Sequence, residues 1–315
     1  MPHWILKWGL QRTISVLPRR QKFNEVFQKY FTRTLHLGAS MVERRLEHCR
    51  IHLENYRSFG TQTGEFRALE IGAGWFPTIA VGLYLCGAKE VWIWDIDRLL
   101  KPERLARMME HFCAFHDEKK LKNCLPALDE VRFEQLRDAR RHLAKESAEQ
   151  WLSRFNIHVN LGDARATGLP DRSVDLIYST SVLEYIEEDV LLGLFKEFRR
   201  LGSSHAVMSH WIGLLDQYSF FDKSLSPFNN LKYTEGQWKI WRSPLTPQTR
   251  LMIPEYRRLF AETGFEVVKE MPMMGSDEQF DRVKIAPQFQ KYPREELMKL
   301  GSWMVCKPSK QHQIG

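Results

Sequence analysis

From about residue 66 onward, short β-rich runs alternate with longer stretches of helical periodicity, and this alternation constrains the fold more than any other feature of the chain. Strands separated by helices do not close as hairpins; they pair in parallel, and the helices cross the faces of one sheet. Seven strands are expected: Phe66 to Gly72, Glu90 to Asp95, Asn156 to Leu161, Val174 to Ser179, His205 to His210, Phe265 to Met271 and Ser302 to Lys307. The intervening helices are expected over Ile79 to Cys86, Leu99 to Phe115, Glu184 to Arg200 and Pro254 to Thr263, the last closed by Gly264. The fold class that follows is α/β, a mostly parallel sheet with helices on both faces.

Three segments stand outside the alternation. Residues 1–60 are expected to form a helical cap, because Phe23, Phe27 and Tyr30 fall at helical spacing and Trp4, Trp8 and Phe31 add aromatic surface. Residues 116–154 are charged and helix-forming, and read as a helical insert. Residues 213–250 are rich in aromatics, Ser, Asn and Pro, the composition of a long loop that covers a site.

Composition narrows the class of protein. A 315-residue chain with 43% hydrophobic and 27% charged residues folds around a core without staples. The net charge of +7 is spread over doublets such as Arg44-Arg45 and Arg199-Arg200 and forms no dense basic block, so no nucleic-acid partner is expected. The 5 cysteines are odd in number, scattered and without a C-x-x-C pair, which fits a reducing cytoplasm and supports neither disulfides nor a zinc ribbon. The longest mostly apolar stretch, Phe76 to Ala88, falls short of the roughly 20 residues of a membrane span. A soluble protein without a targeting segment is expected.

The sharpest motif is Leu69 to Pro77, LEIGAGWFP, at the end of the first strand. Glycines there let backbone approach a ligand closely, and the following helix aims its N–H groups at an anion. A dinucleotide fold competes, since Gly72 and Gly74 form G-x-G and Asp95 stands where a ribose-binding acid would. Its third glycine is missing, though, and Trp75-Phe76 would crowd a pyrophosphate.

LEIGAGWFP, WDID at 94–97, GDA at 162–164 and DLIYSTSVLEYI at 175–186 occur in an order that resembles class I S-adenosylmethionine-dependent methyltransferases, over about residues 66–211. The weaker segment EYRRLFAETGFEV at 255–267 extends the likeness. The N-terminal stretch and HWIGLLDQY with FNNLKYTEGQW are similar to bacterial members found with small-molecule pathways. The resemblance implies a Rossmann-like methyltransferase sheet, a catalytic domain over 61–315, and S-adenosylmethionine as cofactor.

Carried onto this chain, the resemblance implies that Glu70, Gly72, Ala73 and Gly74 hold the methionine part of the cofactor, with Trp75 beside it. A carboxylate suits the cofactor's ammonium, and helix N–H groups suit its carboxylate. Asp95 is placed for the ribose hydroxyls and Ile96 for one face of the adenine, and in the cofactor-binding segment Gly162, Asp163 and Ala164 the Asp163 carboxylate is placed to accept from the adenine amino group and the Ala164 backbone to donate. Trp75 and Phe76 depart from the family's small residues at this turn, and Trp75 either walls the methionine tail or turns into the core.

Methyl transfer is an in-line displacement that gains mainly from alignment and exclusion of water, so no unique catalytic residue is required. Tyr178, Ser179 and Thr180 end the fourth strand, where an aromatic face stabilises a sulfonium by cation–π attraction; Tyr178 is the leading candidate. His210 is the candidate base, with Asp216, Tyr218 and Asp222 as orienting or substrate-binding groups and Trp4 and Trp8 as cap residues. Glu184, Phe220, Phe221 and Trp238 are secondary candidates. His111, Cys113 and His116 lie two and five apart, a spacing that does not converge on one helix face, so no metal site is expected.

The leading expectation is a methyltransferase acting on a small molecule of specialised metabolism or a sugar. An alternative keeps the fold and changes the reaction, as in azetidine-2-carboxylate synthases, which cyclise the cofactor itself; Trp4, Trp8, Trp75 and Tyr178 would wall the sulfonium. An RNA methyltransferase is disfavoured by Ser179-Thr180-Ser181-Val182, which stands where an N-P-P-Y-type tetrapeptide would. A noncatalytic module is disfavoured by the intact glycine loop.

Overall fold

The computed structural model describes residues 3–15, 37–60, 64–243 and 247–309. The expected Phe23, Phe27, Tyr30 and Phe31 stripe lies outside the described residues.

All seven expected strands form, as β1 (Phe66–Ile71), β2 (Ala88–Asp95), β3 (Ile157–Leu161), β4 (Val174–Thr180), β5 (Gly202–Gly213), β6 (Phe265–Met274) and β7 (Lys299–Pro308). They build one sheet in the order β3-β2-β1-β4-β5-β7-β6. β1 to β5 pair in parallel, whereas β7 runs antiparallel between β5 and β6. This is the expected seven-stranded, mostly parallel Rossmann-like arrangement. β5, β6 and β7 extend beyond the apolar runs that announced them, because antiparallel pairing from Met208↔Cys306 to Gly213↔Gly301 continues the ladder into less apolar sequence.

The described helices are α1 (His3–Ser15), α2 (Ala39–Phe59), α3 (Thr78–Leu85), α4 (Pro102–Asp117), α5 (Lys120–Cys124), α6 (Glu130–Ala139), α7 (Ala148–Ser153), α8 (Glu188–Leu201), α9 (Glu235–Trp241), α10 (Ile253–Glu262), α11 (Asp277–Asp281) and α12 (Arg294–Leu297). α4 starts three residues later than expected, at a proline whose missing N–H costs nothing in a first turn. The expected helix from Glu184 begins instead at Glu188, after a 3-10 turn over Leu183–Tyr185. The insert at 116–154 is helical, formed by α5, α6 and α7.

Alternate residues of each strand feed two cores, as a doubly covered sheet requires. Ala68, Val91, Ile93, Leu176, Tyr178 and Val207 face one side, under α2, α3 and α4. Leu69, Trp92, Trp94, Ile177 and Met208 face the other, under α8 and α10. α2 carries Leu46, Cys49, Leu53 and Tyr56 into the first core, so residues 37–60 share it with the sheet. The order reverses between β1 and β4, and at such a switch point the carboxyl ends of the strands leave a crevice.

Candidate cofactor and substrate site

The glycine loop leaves β1 at this crevice. Gly72 and Gly74 adopt φ of +72° and +66°, which side chains with a Cβ rarely take. A Cβ on Gly72 would stand 2.7 Å from Val182 Cγ2, so glycine is required there by conformation and by space. The Gly74 N–H donates to Asp95 Oδ2 at 3.2 Å, and the Asp97 N–H donates to Asp95 Oδ1 at 3.2 Å. Burial raises the Asp95 carboxyl above its ordinary range while these N–H groups oppose the rise. The structure thus joins the loop to the end of β2, beside a pocket lined in part by Ala73, Gly74, Asp95, Leu100 and Val159.

The other expected cofactor residues divide. Ile96 stands at the end of β2 with 82% of its surface exposed, an apolar face open to a flat partner. Gly162 follows β3 with φ +142° and donates its N–H to the Asp95 carbonyl. Asp163 is turned onto Arg165, accepting from its N–H at 2.9 Å and its guanidinium at 2.8 Å, which holds the carboxyl below its usual range. The free acceptor expected at Asp163 is therefore a brace within its own loop. Ala164 packs at the edge of the second core.

Glu70 does not present an open carboxylate for an ammonium. It is 4% exposed, accepts from the Tyr178 hydroxyl at 3.1 Å, and is bonded by the Ala80 N–H at the start of α3. Burial raises it to about 7, against the opposing pull of Tyr178 and of Arg45. Trp75 resolves toward the core: it is half-buried against the first cluster, with the Arg104 guanidinium 4.3 Å above its ring. Phe76 is buried outright.

The expected reacting groups are also closed off. Tyr178 has no exposed surface and lies 4.9 Å from the His52 ring, so it does not offer a face to a sulfonium in this structure. Ser179 points to the opposite core, where its hydroxyl bonds His210 Nδ1 at 2.8 Å. His210 is fully buried between Phe198 and Phe260, and desolvation lowers it to about 3. A base needs reach to its substrate, and His210 has none here. Parity explains the miss: alternate residues of β4 and β5 are committed to cores, and only the strand ends emerge.

Asp216 is buried and structural, accepting from the Tyr218 N–H at 2.8 Å and from Asn229 Nδ2 at 2.7 Å. Asp222 accepts from the Ser224 N–H and hydroxyl and turns the chain. Tyr218 is buried and donates to the Trp241 carbonyl. The expected site-covering loop at 213–250 contains, among its described residues, α9 and short 3-10 turns at Gln217–Phe220 and Asn229–Lys232. Arg250 fastens it by donating to the Asn230 and Tyr233 carbonyls and pairing with Glu235. α1 lies on this segment. Trp4 meets Tyr218 and Trp241 at 5.7 and 5.3 Å, and Trp8 donates to the Ile240 carbonyl at 2.9 Å. Phe220 and Phe221 remain exposed, while Trp238 is buried and donates to the Gln248 carbonyl.

Glu184 is buried beneath Gly213, with Oε2 unpartnered and the carboxyl raised to about 8 by burial. His111 bonds the Leu37 carbonyl, Cys113 accepts from Arg140, and His116 bonds Glu130 and Arg137. These three side chains serve helix packing. Among the described residues no helix is long and apolar enough to cross a membrane.

Sequence reasoning missed the contribution of α2. Arg45 donates to the Phe76 carbonyl at 3.0 Å and neighbours Glu70, and His52 reaches Thr180 and Ser209. The available signal was the spacing of Arg45, Cys49, His52 and Tyr56, four and three apart on one helix face.

The sheet order, the reversed β7 and the glycine loop tied to Asp95 define a class I methyltransferase type of architecture. Residues 130–208, a quarter of the chain, match a family model described as a methyltransferase domain, and this match indicates S-adenosylmethionine as the cofactor. Among solved structures, a Pyrococcus horikoshii protein is 15% identical, with TM-score 0.49, over 91% of this chain and 99% of its own. An S-adenosylmethionine dependent methyltransferase from Mesorhizobium loti is 15% identical, with TM-score 0.43, over 86% and 99%. A structure from Methanosarcina mazei described as a SAM-dependent methyltransferase is 13% identical, with TM-score 0.42, over 78% and 94%. No curated protein sequence matches the chain.

Proposed function

We propose that this chain transfers a methyl group from S-adenosylmethionine to a small-molecule acceptor in the cytoplasm. The observation that carries the reading is the Asp95 carboxylate at the end of β2, bridged to the Gly74 N–H on the rim of a pocket. Asp95 would take the ribose hydroxyls, Ile96 would cover the adenine, and the backbone of residues 72–74 would hold the methionine end. Gly162 and Ala164 would border the adenine, with Asp163 keeping their loop in place.

S-adenosylmethionine supplies a methyl group already activated on sulfur, so the protein's task is alignment and exclusion of water. Glu70, Tyr178 and Arg45 brace the loop from below. α1, through Trp4 and Trp8, covers the 213–250 segment and would screen the acceptor side.

Cyclisation of S-adenosylmethionine to azetidine-2-carboxylate draws no support from the aromatics that motivated it. Tyr178 and Trp75 are committed to packing, and Trp4 and Trp8 are committed to Tyr218, Ile240 and Trp241. Incubation with S-adenosylmethionine and a panel of small hydroxy and amino acceptors, followed by mass spectrometry, tests the reading. S-adenosylhomocysteine is the expected product; methylthioadenosine from the cofactor alone would contradict it.

A further inference from the structure

A line of hydrogen bonds crosses the first core from the outer strand β6 to the end of β4. Lys269 Nζ lies 3.1 Å from Asn55 Oδ1, Asn55 Nδ2 lies 3.0 Å from Ser209 Oγ, Ser209 Oγ lies 2.9 Å from His52 Nδ1, and His52 Nε2 lies 3.1 Å from Thr180 Oγ1. Asn55, Ser209 and His52 are at most 1% exposed, whereas Thr180 is half-buried at the carboxyl end of β4.

The direction of this line follows from its first member. An ammonium only donates, so the Asn55 atom facing Lys269 is the carbonyl oxygen and its NH₂ faces Ser209. Ser209 Oγ therefore accepts from Asn55, and its one proton goes to its other partner among the described residues, His52 Nδ1. With Nδ1 accepting, neutral His52 carries its proton on Nε2 and donates it to Thr180. The Thr180 hydroxyl, already accepting from within, has its own proton left for an acceptor in the crevice. His52 is held in this orientation by Tyr178 at 4.9 Å and Trp303 at 5.0 Å.

Thr180 is also in the right place. Ser179 pairs with Ile71 across β4 and β1, which brings Thr180 level with Gly72 of the cofactor loop. Arg45 lies on the helix that carries His52, with its guanidinium beside the same loop, and adds positive charge near this end of the sheet.

We propose that the Thr180 hydroxyl is a pre-oriented donor that binds an anionic oxygen of the ligand, a carboxylate or an ionised hydroxyl, with Lys269, Asn55, Ser209 and His52 as positioning residues. The proposal rests on the methyltransferase reading for the identity of the crevice. The anionic oxygen belongs either to the acceptor or to the cofactor's carboxylate, and the two sources are separable.

The test uses the full chain labelled with ¹⁵N at histidine. In the native protein His52 should show the Nε2–H tautomer; in Asn55→Asp, whose second carboxylate oxygen takes the Ser209 proton, it should switch to Nδ1–H. Benzoate, titrated in the presence of S-adenosylhomocysteine, and S-adenosylmethionine, titrated alone, then serve as probes on native protein, Thr180→Val and Thr180→Ser. Weakening by about tenfold or more for one probe in Thr180→Val, with recovery in Thr180→Ser, supports the proposal and names the source. An Nδ1–H tautomer in the native protein, or equal affinity of native protein and Thr180→Val for both probes, would overturn it. Failure of S-adenosylmethionine to bind native protein at all would instead strike the cofactor reading, which the tautomer measurement does not depend on.

Discussion

The Tyr178 hydroxyl donates to Glu70 Oε2 at 3.1 Å and so joins β4 to β1 directly beneath the glycine loop. Neither residue is open to solvent, and Glu70 is a carboxyl raised to about 7 by its burial. The pair is a brace for the site. Tyr178→Phe keeps the packing and removes the donor, leaving a buried acceptor short of a partner. A loss of about 1–3 kcal/mol in unfolding free energy is expected by denaturant titration. An unchanged midpoint would show that the bond contributes nothing.

Gly72 should tolerate substitution worse than Gly74. Both have positive φ, but only at Gly72 does an added Cβ meet another side chain, Val182 at 2.7 Å. Gly72→Ala is expected to cost about 1–3 kcal/mol from strain and overlap together, and Gly74→Ala about 1 kcal/mol from conformation alone. Thermal unfolding of the two variants side by side checks the order; equal losses would contradict it.

Glu184 gives stability a pH dependence of definite sign. Burial raises its carboxyl from an ordinary 4.5 to about 8, with Tyr185 and Tyr256 near it. The folded state holds the proton more tightly than the unfolded state, so the group's stabilising contribution is whole below about 4.5 and is lost as pH rises through about 8. Glu184→Gln stays neutral throughout. Its melting temperature should exceed that of the native protein at alkaline pH and approach it as pH falls to about 4.5. A constant difference across that window would rule out Glu184 as the titrating group.

α1 is held to the 213–250 segment mainly through Trp4, Trp8 and Trp241, the rings of Trp8 and Trp241 standing 5.1 Å apart. Truncating Trp4 to Ala should release this helix locally while leaving the sheet intact. Limited proteolysis near the N-terminus should accelerate by about tenfold or more, with little change in global melting. Equal cleavage rates would mean that α1 is held by other contacts.

The sheet was legible because each strand is a compact apolar or β-branched run between turn residues, and a chain of such runs separated by helices has few ways to close. The glycine turn after β1 was legible because Gly72, Gly74 and Asp95 serve backbone geometry, which local sequence encodes. Tyr178 and His210 misled for one shared reason. Each sits in a central strand whose alternate side chains enter one core or the other, and the sequence shows the alternation without showing that both faces are covered. Asp216 and Asp222, expected as orienting or substrate-binding groups, bond nearby N–H groups instead, as short acids in a tight segment do. The contribution of α2 was hidden because His52 meets Ser209 and Thr180 over sequence separations of 157 and 128 residues.

The most direct test of the account is calorimetric titration of S-adenosylmethionine into the native protein and into Asp95→Ala, with thermal melting as a check that the variant is folded. Loss of the ribose contacts should weaken binding by about tenfold to a hundredfold. Equal affinity in the two folded proteins would contradict the assignment of the crevice at the carboxyl ends of β1, β2 and β4 as the cofactor site.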